Sequence, residues 1–164
     1  MKIIKVIACA ACLIAGIVGC QSAPNKRSIS MYMEDSMSRI FPTLLESAVS
    51  DPALTRKDPF IMRQGWIKNE TTLISNECVE KFASQFADGL SSSGLVRFVP
   101  SDGSLQGGRS LTPTAAWVGK LVQKDGTAKD GRSWHEVTLT ISIVDIATGE
   151  RLWRDERCVR IEHK

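Results

Sequence analysis

The chain is poor in the residues that carry chemistry. Its 164 residues include two histidines, His135 within a strand pattern and His163 near the end. Neither belongs to a pattern with zinc-ligand spacing, and Cys78 and Cys158 each stand alone. No glycine-rich loop joins a strand to a helix in a Walker or Rossmann arrangement, since Asp102-Gly103-Ser104 and Gln106-Gly107-Gly108 fall in a polar loop. Ser91-Ser92-Ser93-Gly94 closes a helix and is not a nucleophile elbow. Asp155 and Glu156 are adjacent, so on a strand they point to opposite faces, which argues against paired acid–base work. No constellation meets the criteria for an active site. The expectation is a non-enzyme with no metal, no cofactor, no small-molecule substrate and no nucleic-acid partner.

Long apolar runs are scarce as well. Ile3 to Val18 is the one extended apolar stretch, preceded by Lys2 and flanking Lys5. It is shorter than the ~20 residues a spanning helix needs, and its length fits the apolar core of a signal peptide. It runs into Ile17-Val18-Gly19-Cys20, which matches the lipobox of bacterial lipoproteins. Cleavage is expected between Gly19 and Cys20. The small residue lets the peptidase close on the backbone, and the Cys20 sulfur then receives a diacylglyceryl group. Two or three acyl chains, at about 0.8 kcal/mol per buried CH₂, anchor stably where one would not. Gln21 follows, not Asp, and lipoproteins lacking Asp there pass to the outer membrane, here facing the periplasm.

This leader corrects the bulk statistics. Residues 20–164 are 145 residues, enough for one domain with its own core. Lys2 and Lys5 leave with the leader, so 21 basic residues become 19 against 18 acidic ones. The basic balance of the full chain therefore argues nothing about nucleic acid. Of five cysteines, Cys9 and Cys12 are discarded and Cys20 is lipidated. Cys78 and Cys158 remain, either bridged, as an oxidising compartment permits, or as two small buried hydrophobes.

Residues 20–30 read as the lipidated cysteine and a short tether, and 31–164 as a single α+β domain. Met33, Met37, Ile40, Phe41, Leu44, Leu45 and Ala48 recur at helical spacing, with Pro42 placed to kink or split the helix and Asp51-Pro52 to end it. Pro59 to Lys68 reads as a strand. A second helix runs from about Asn76 to Ser92, with Ser75 or Asn76 as its cap and an apolar stripe of Val79, Phe82, Ala83, Phe86 and Leu90. Leu95 to Val99 is a short strand. Ala115–Gln123, Trp134–Ile146 and Arg151–Ile161 form a three-stranded antiparallel meander, the last pair joined at Ala147-Thr148-Gly149-Glu150. The order implies a small mixed or antiparallel sheet with two main helices on one face. Trp66, Trp117, Trp134 and Trp153 lie in strands, and most are expected to anchor the core. Arg151, Arg154, Arg157 and Arg160 alternate faces on a strand, as a solvated edge or, alternatively, a partner-binding patch.

Several of these segments resemble the LpoB-type penicillin-binding-protein activators, which are outer-membrane lipoproteins. Gly65-Trp66-Ile67-Lys68-Asn69-Glu70-Thr71 is similar to that family's Gly-x-Ile-x-Asn-x-Thr strand and turn. Ser93-Gly94-Leu95-Val96-Arg97-Phe98-Val99 resembles its Ser-Gly helix end and Arg-Phe-Val strand, and Val144 to Glu156 resembles its closing hairpin with Thr-Gly, Trp and Asp-Glu. The resemblance implies a fold like the N-terminal domain of TolB. It also implies activation of a bifunctional peptidoglycan synthase by docking, with Asn69, Thr148, Gly149 and Trp153 in structural roles. The alternative function is a structural or assembly lipoprotein of an envelope or secretion complex.

Overall fold

The computed structural model describes residues 26–55, 58–99 and 111–163. Gly19, Cys20 and the leader lie outside them, as do Cys9 and Cys12. The order is α1 (Lys26–Ser50), β1 (Phe60–Arg63), β2 (Ile67–Glu70), α2 (Asn76–Ser92), β3 (Val96–Val99), β4 (Ala115–Thr127), β5 (Ser133–Asp145) and β6 (Arg151–His163). The sheet runs β3-β1-β4-β5-β6, with β2 following β1 along the same edge of β4. Contacts among β1, β2, β3 and β4 are parallel, and β4-β5-β6 is the expected antiparallel meander. The fold is α+β, with a mixed sheet.

Alternation along the meander sets the layers. Val137, Leu139, Ile141 and Ile143 of β5 are buried on one face, beside Ala115, Trp117 and Leu121 of β4. Both helices cover that face. They run parallel, since Ser75 N donates to Glu34 Oε1 at 2.8 Å near their starts, while Gly89 lies against Leu45 near their ends. Phe41 stacks on Phe82 with centroids 5.3 Å apart. Phe86 meets Trp117 edge-on at 5.2 Å and Trp153 at 6.1 Å. This aromatic column joins the helices to the centre of the sheet. Each such pair adds about 0.5–1.5 kcal/mol beyond area burial.

The first helix differs from the expectation in two ways. It begins at Lys26 and not near Met33, because Ile29 extends the buried stripe of Met33, Met37, Phe41, Leu44 and Ala48 by one turn. Pro42 does not split the helix: it lies on the exposed face, where its missing N–H costs least because water reaches the freed carbonyl. In α2 the cap is Ser75, whose side chain accepts from Cys78 N at 3.2 Å.

The strand expected over Pro59 to Lys68 is two strands, broken at 64–66. Gly65 crosses so close to β4 that a Cβ there would sit 1.8 Å from the Trp117 carbonyl oxygen. Only a residue without a side chain fits that crossing. Beyond it, Gly119 N donates to Trp66 O at 2.8 Å and regular pairing resumes with Ile67 opposite Gly119.

Candidate docking face

The second face of the sheet carries no helix among the described residues, and its side chains follow from register. Val118, Ser142 and Arg154 form one cross-strand row, Lys120, Thr140 and Glu156 the next, then Val122, Thr138 and Cys158, then Lys124, Glu136 and Arg160. Lys68 and Glu70 extend the second and third rows from β2, and Arg63 and Arg97 lie beyond on β1 and β3. This face is polar with a cationic excess, whereas the helices carry more acidic than basic residues.

The cations are only partly neutralised. Glu70 bridges Lys68 at 2.7 Å and Lys120 at 2.8 Å. Those two hydrogen bonds, that to Lys120 the stronger, hold its carboxyl below the usual carboxylate range. Arg154 pairs with Glu156 at 2.8 Å, and Thr140 also donates to that carboxylate at 3.2 Å. Towards the far end Arg160 lies 4.5 Å from the centroid of Trp134, a cation–π contact that half-buries the ring over Gly126.

Trp66 is the most exposed of the four tryptophans, and Trp134, half-buried on the second face, is no core anchor either. Trp117 and Trp153 are buried, as expected of core anchors, but Trp66 is 63 % exposed. Its neighbour Ile67 points to the core side opposite Gly119, so alternation sends Trp66 to the other face, next to exposed Val118. An exposed tryptophan beside an apolar residue and rimmed by arginine and lysine has the composition of a binding hot spot. Sequence periodicity missed it, because an uninterrupted strand implied a buried ring. The signal available was Gly65, which marks a close crossing rather than regular pairing.

The other expected site residues fall elsewhere. Cys78, in α2 on the helical side, and Cys158, exposed on the second face, are both free thiols. The whole sheet lies between the layers they belong to, so the bridge entertained from sequence does not form in this structure. Cys78 lines a groove of about 420 Å³ between the helices with Glu34, Asp35, Ser38 and Lys81. Burial, aided by the Glu34 charge and opposed by Lys81, pushes its thiol up to about 11. It is protonated at neutral pH, and no histidine lines the groove to act on it. His135 and His163 end the core side of the meander. His135 Nδ1 is 2.8 Å from Asp125 Oδ1, and its Nε2 is 3.1 Å from His163 Nε2. Among the described residues no group of three His, Cys, Asp or Glu side chains is arranged to hold a metal ion.

Of the four residues matched to the family motif, Asn69, Thr148 and Gly149 shape turns and Trp153 packs in the core. Asn69 Oδ1 accepts from Thr71 N and Oγ1 at 3.1 and 2.8 Å, and its Nδ2 donates to Ile74 O at 2.9 Å. Thr148 N donates to Asp145 Oδ1 at 2.9 Å, and Gly149, at φ 71°, supplies the left-handed residue of the turn. Trp153 is buried against Phe86. Asp155 and Glu156 diverge as expected, Asp155 pairing with Arg157 at 2.7 Å and Glu156 with Arg154 on the opposite face. Among the described residues no helix is long and apolar enough to cross a membrane.

No protein-family model and no curated protein matches the chain. Solved structures similar to it include the LpoB C-terminal domain from Salmonella enterica, at 12 % identity and TM-score 0.43 over 73 % of this chain and 97 % of that one. The LpoB C-terminal domain from Escherichia coli matches at 12 % identity and TM-score 0.42 over 83 % and 98 % of the two chains. PelC from Paraburkholderia phytofirmans, a dodecamer, matches at 24 % identity and TM-score 0.43 over 68 % and 76 %.

Proposed function

We propose that the mature chain is an outer-membrane lipoprotein, held by lipid on Cys20 and facing the periplasm, that regulates a bifunctional peptidoglycan synthase by docking on it. The observation that carries the docking reading is the uncovered sheet face with Trp66 exposed beside Val118 and a cationic rim. The lipobox and the order of the LpoB-like motifs supply the anchor and the class of partner. The task needs no chemistry. A docked regulator shifts its partner by binding the active state more tightly, and a differential of about 1–3 kcal/mol changes the balance 5- to 150-fold.

The short tether constrains this task. Six residue steps from Cys20 to Lys26 reach about 20 Å at full extension. The synthase must therefore bring its docking domain close to the membrane that holds the anchor.

An assembly role is the second reading. It is favoured by the outer edge of β6, thirteen residues long, which pairs with no strand among the described residues. A strand from another chain adds readily to such an edge.

Affinity capture of the lipidated chain from solubilised envelopes separates the two. Recovery of a bifunctional synthase, with faster glycan polymerisation when purified chain is added back, supports regulation. Recovery of only channel or surface-structure proteins refutes it.

A further inference from the structure

The large apolar side chains that stand exposed fall at two well-separated levels along the sheet. Trp66, Val118 and Ile146 belong to the end where β4 begins: Trp66 O accepts from Gly119 N, and Ile146 N donates to Thr114 O at 2.9 Å. Met31 and Tyr32, in the second turn of α1, belong to the other end. Ser30 Oγ donates to Leu73 O at 2.6 Å, and the adjacent Thr72 N donates to Gln123 Oε1 at 2.8 Å. That turn therefore lies level with Gln123, roughly 17 Å along β4 from Val118 at about 3.4 Å per residue.

Met31 and Tyr32 are 65 % and 68 % exposed, more than any other large apolar residue described. Arg27, also exposed, precedes them by one turn. The acidic residues that follow are already engaged, Glu34 with Ser75 N at 2.8 Å and Asp35 with Arg39 at 2.7 Å.

Chain length selects what covers this end. A lipid-bearing Cys20 in the headgroup layer holds Lys26 within about 20 Å of it, however the intervening residues run. Met31 and Tyr32 are one to two helical turns further on, about 8–9 Å at 1.5 Å per residue. With α1 starting at the surface, the level of Val118 stands roughly 17 Å further from it.

We propose that the first two turns of α1, through Met31 and Tyr32 with Arg27 beside them, rest in the headgroup region of the bilayer that holds Cys20. The proposal rests on the lipoprotein reading above and deepens it by orienting the domain. A tyrosine has an apolar ring and a polar tip suited to that interface, methionine adds unbranched apolar surface, and arginine pairs with lipid phosphate. The end bearing Trp66, Val118 and Ile146 then points away from the bilayer, where a periplasmic partner meets it.

The test uses the lipidated mature chain, carrying Cys78→Ala and Cys158→Ser, in vesicles of phosphatidylethanolamine and phosphatidylglycerol. One fluorophore is attached through Met31→Cys, through Tyr32→Cys, or, as the reference, through Ile146→Cys. Lipids brominated near the headgroup end of their chains should quench the probe at 31 or 32 several-fold more than the probe at 146. Equal quenching at the two ends, or probes at 31 cross-linking copy to copy while staying unquenched, overturns the proposal. Mass spectrometry of the N-terminal peptide keeps the failures apart. A Cys20 without lipid overturns the lipoprotein reading itself, whereas lipid on Cys20 with an unquenched probe overturns only the membrane contact.

Discussion

Truncating Trp66 to alanine separates a docking residue from a structural one. The side chain is 63 % exposed, so its removal opens no cavity, and no ring–ring contact of the core includes it. Surface changes of that kind shift stability by about 0.5 kcal/mol or less. Its binding contribution is larger. A tryptophan buries 150–250 Å² when fully covered, so the exposed part offers about 100–150 Å² to a partner, or roughly 2.5–4 kcal/mol at ~25 cal/mol per Å². Affinity for the proposed synthase partner should fall about 50- to 1,000-fold, mostly through faster dissociation. Thermal melting and surface-based kinetics on the same preparations measure both quantities. Binding that survives the substitution within about threefold refutes the assignment of this face. A melting temperature that falls steeply shows instead that Trp66 supports the fold and that the burial argument is wrong.

Three further outcomes follow from the same geometry. Phe86→Ala removes the ring that joins Phe41, Trp117 and Trp153 and should cost about 3–5 kcal/mol. For a domain of this size that lowers the melting temperature by about 10–15 °C, and a fall under ~3 °C contradicts the aromatic column. Glu70→Gln leaves Lys68 and Lys120 without their shared carboxylate, so association with an acidic partner should accelerate, and the gain should vanish at high salt; an unchanged rate at low salt argues against electrostatic steering by this face. Cys78, pushed up to about 11 by burial, should resist alkylation at pH 8 while exposed Cys158 reacts. Because the unfolded thiol ionises near its ordinary value, the Cys78 contribution to stability is full below about pH 8.5 and is lost as pH rises towards the folded value. Melting profiles of the native chain and of Cys78→Ala should run parallel below that point and change their separation above it, and profiles parallel throughout dispose of the shift.

Much of the fold is legible in the sequence because its signals are local. The apolar stripe of Val79, Phe82, Phe86 and Leu90 specifies α2 and the face it buries. Strict alternation from Val137 to Ile143 specifies β5 and which side of it meets the helices. Thr148-Gly149 specifies the turn that returns the chain as β6. Each rests on a period or a dihedral preference that a short segment expresses by itself. The early start of α1 was less legible, because Ile29 adds only one apolar position beyond Met33, and the polar residues around it read equally well as a tether.

The candidate docking face was decided by tertiary structure. Trp66 and Trp117 both lie in segments that read as strands, yet one ring is exposed and the other buried. Their fates diverge because Gly65 crosses the backbone of Trp117, which breaks the strand and resets its alternation against β4. The separation of Cys78 from Cys158 is of the same kind, since it depends on which strand face and which layer each occupies. Sequence alone determined most of the elements and the core stripes, because periodicity and turn preferences act within a few residues. Which side chains were left exposed depended on contacts between segments about fifty residues apart, and only the folded sheet brings those together.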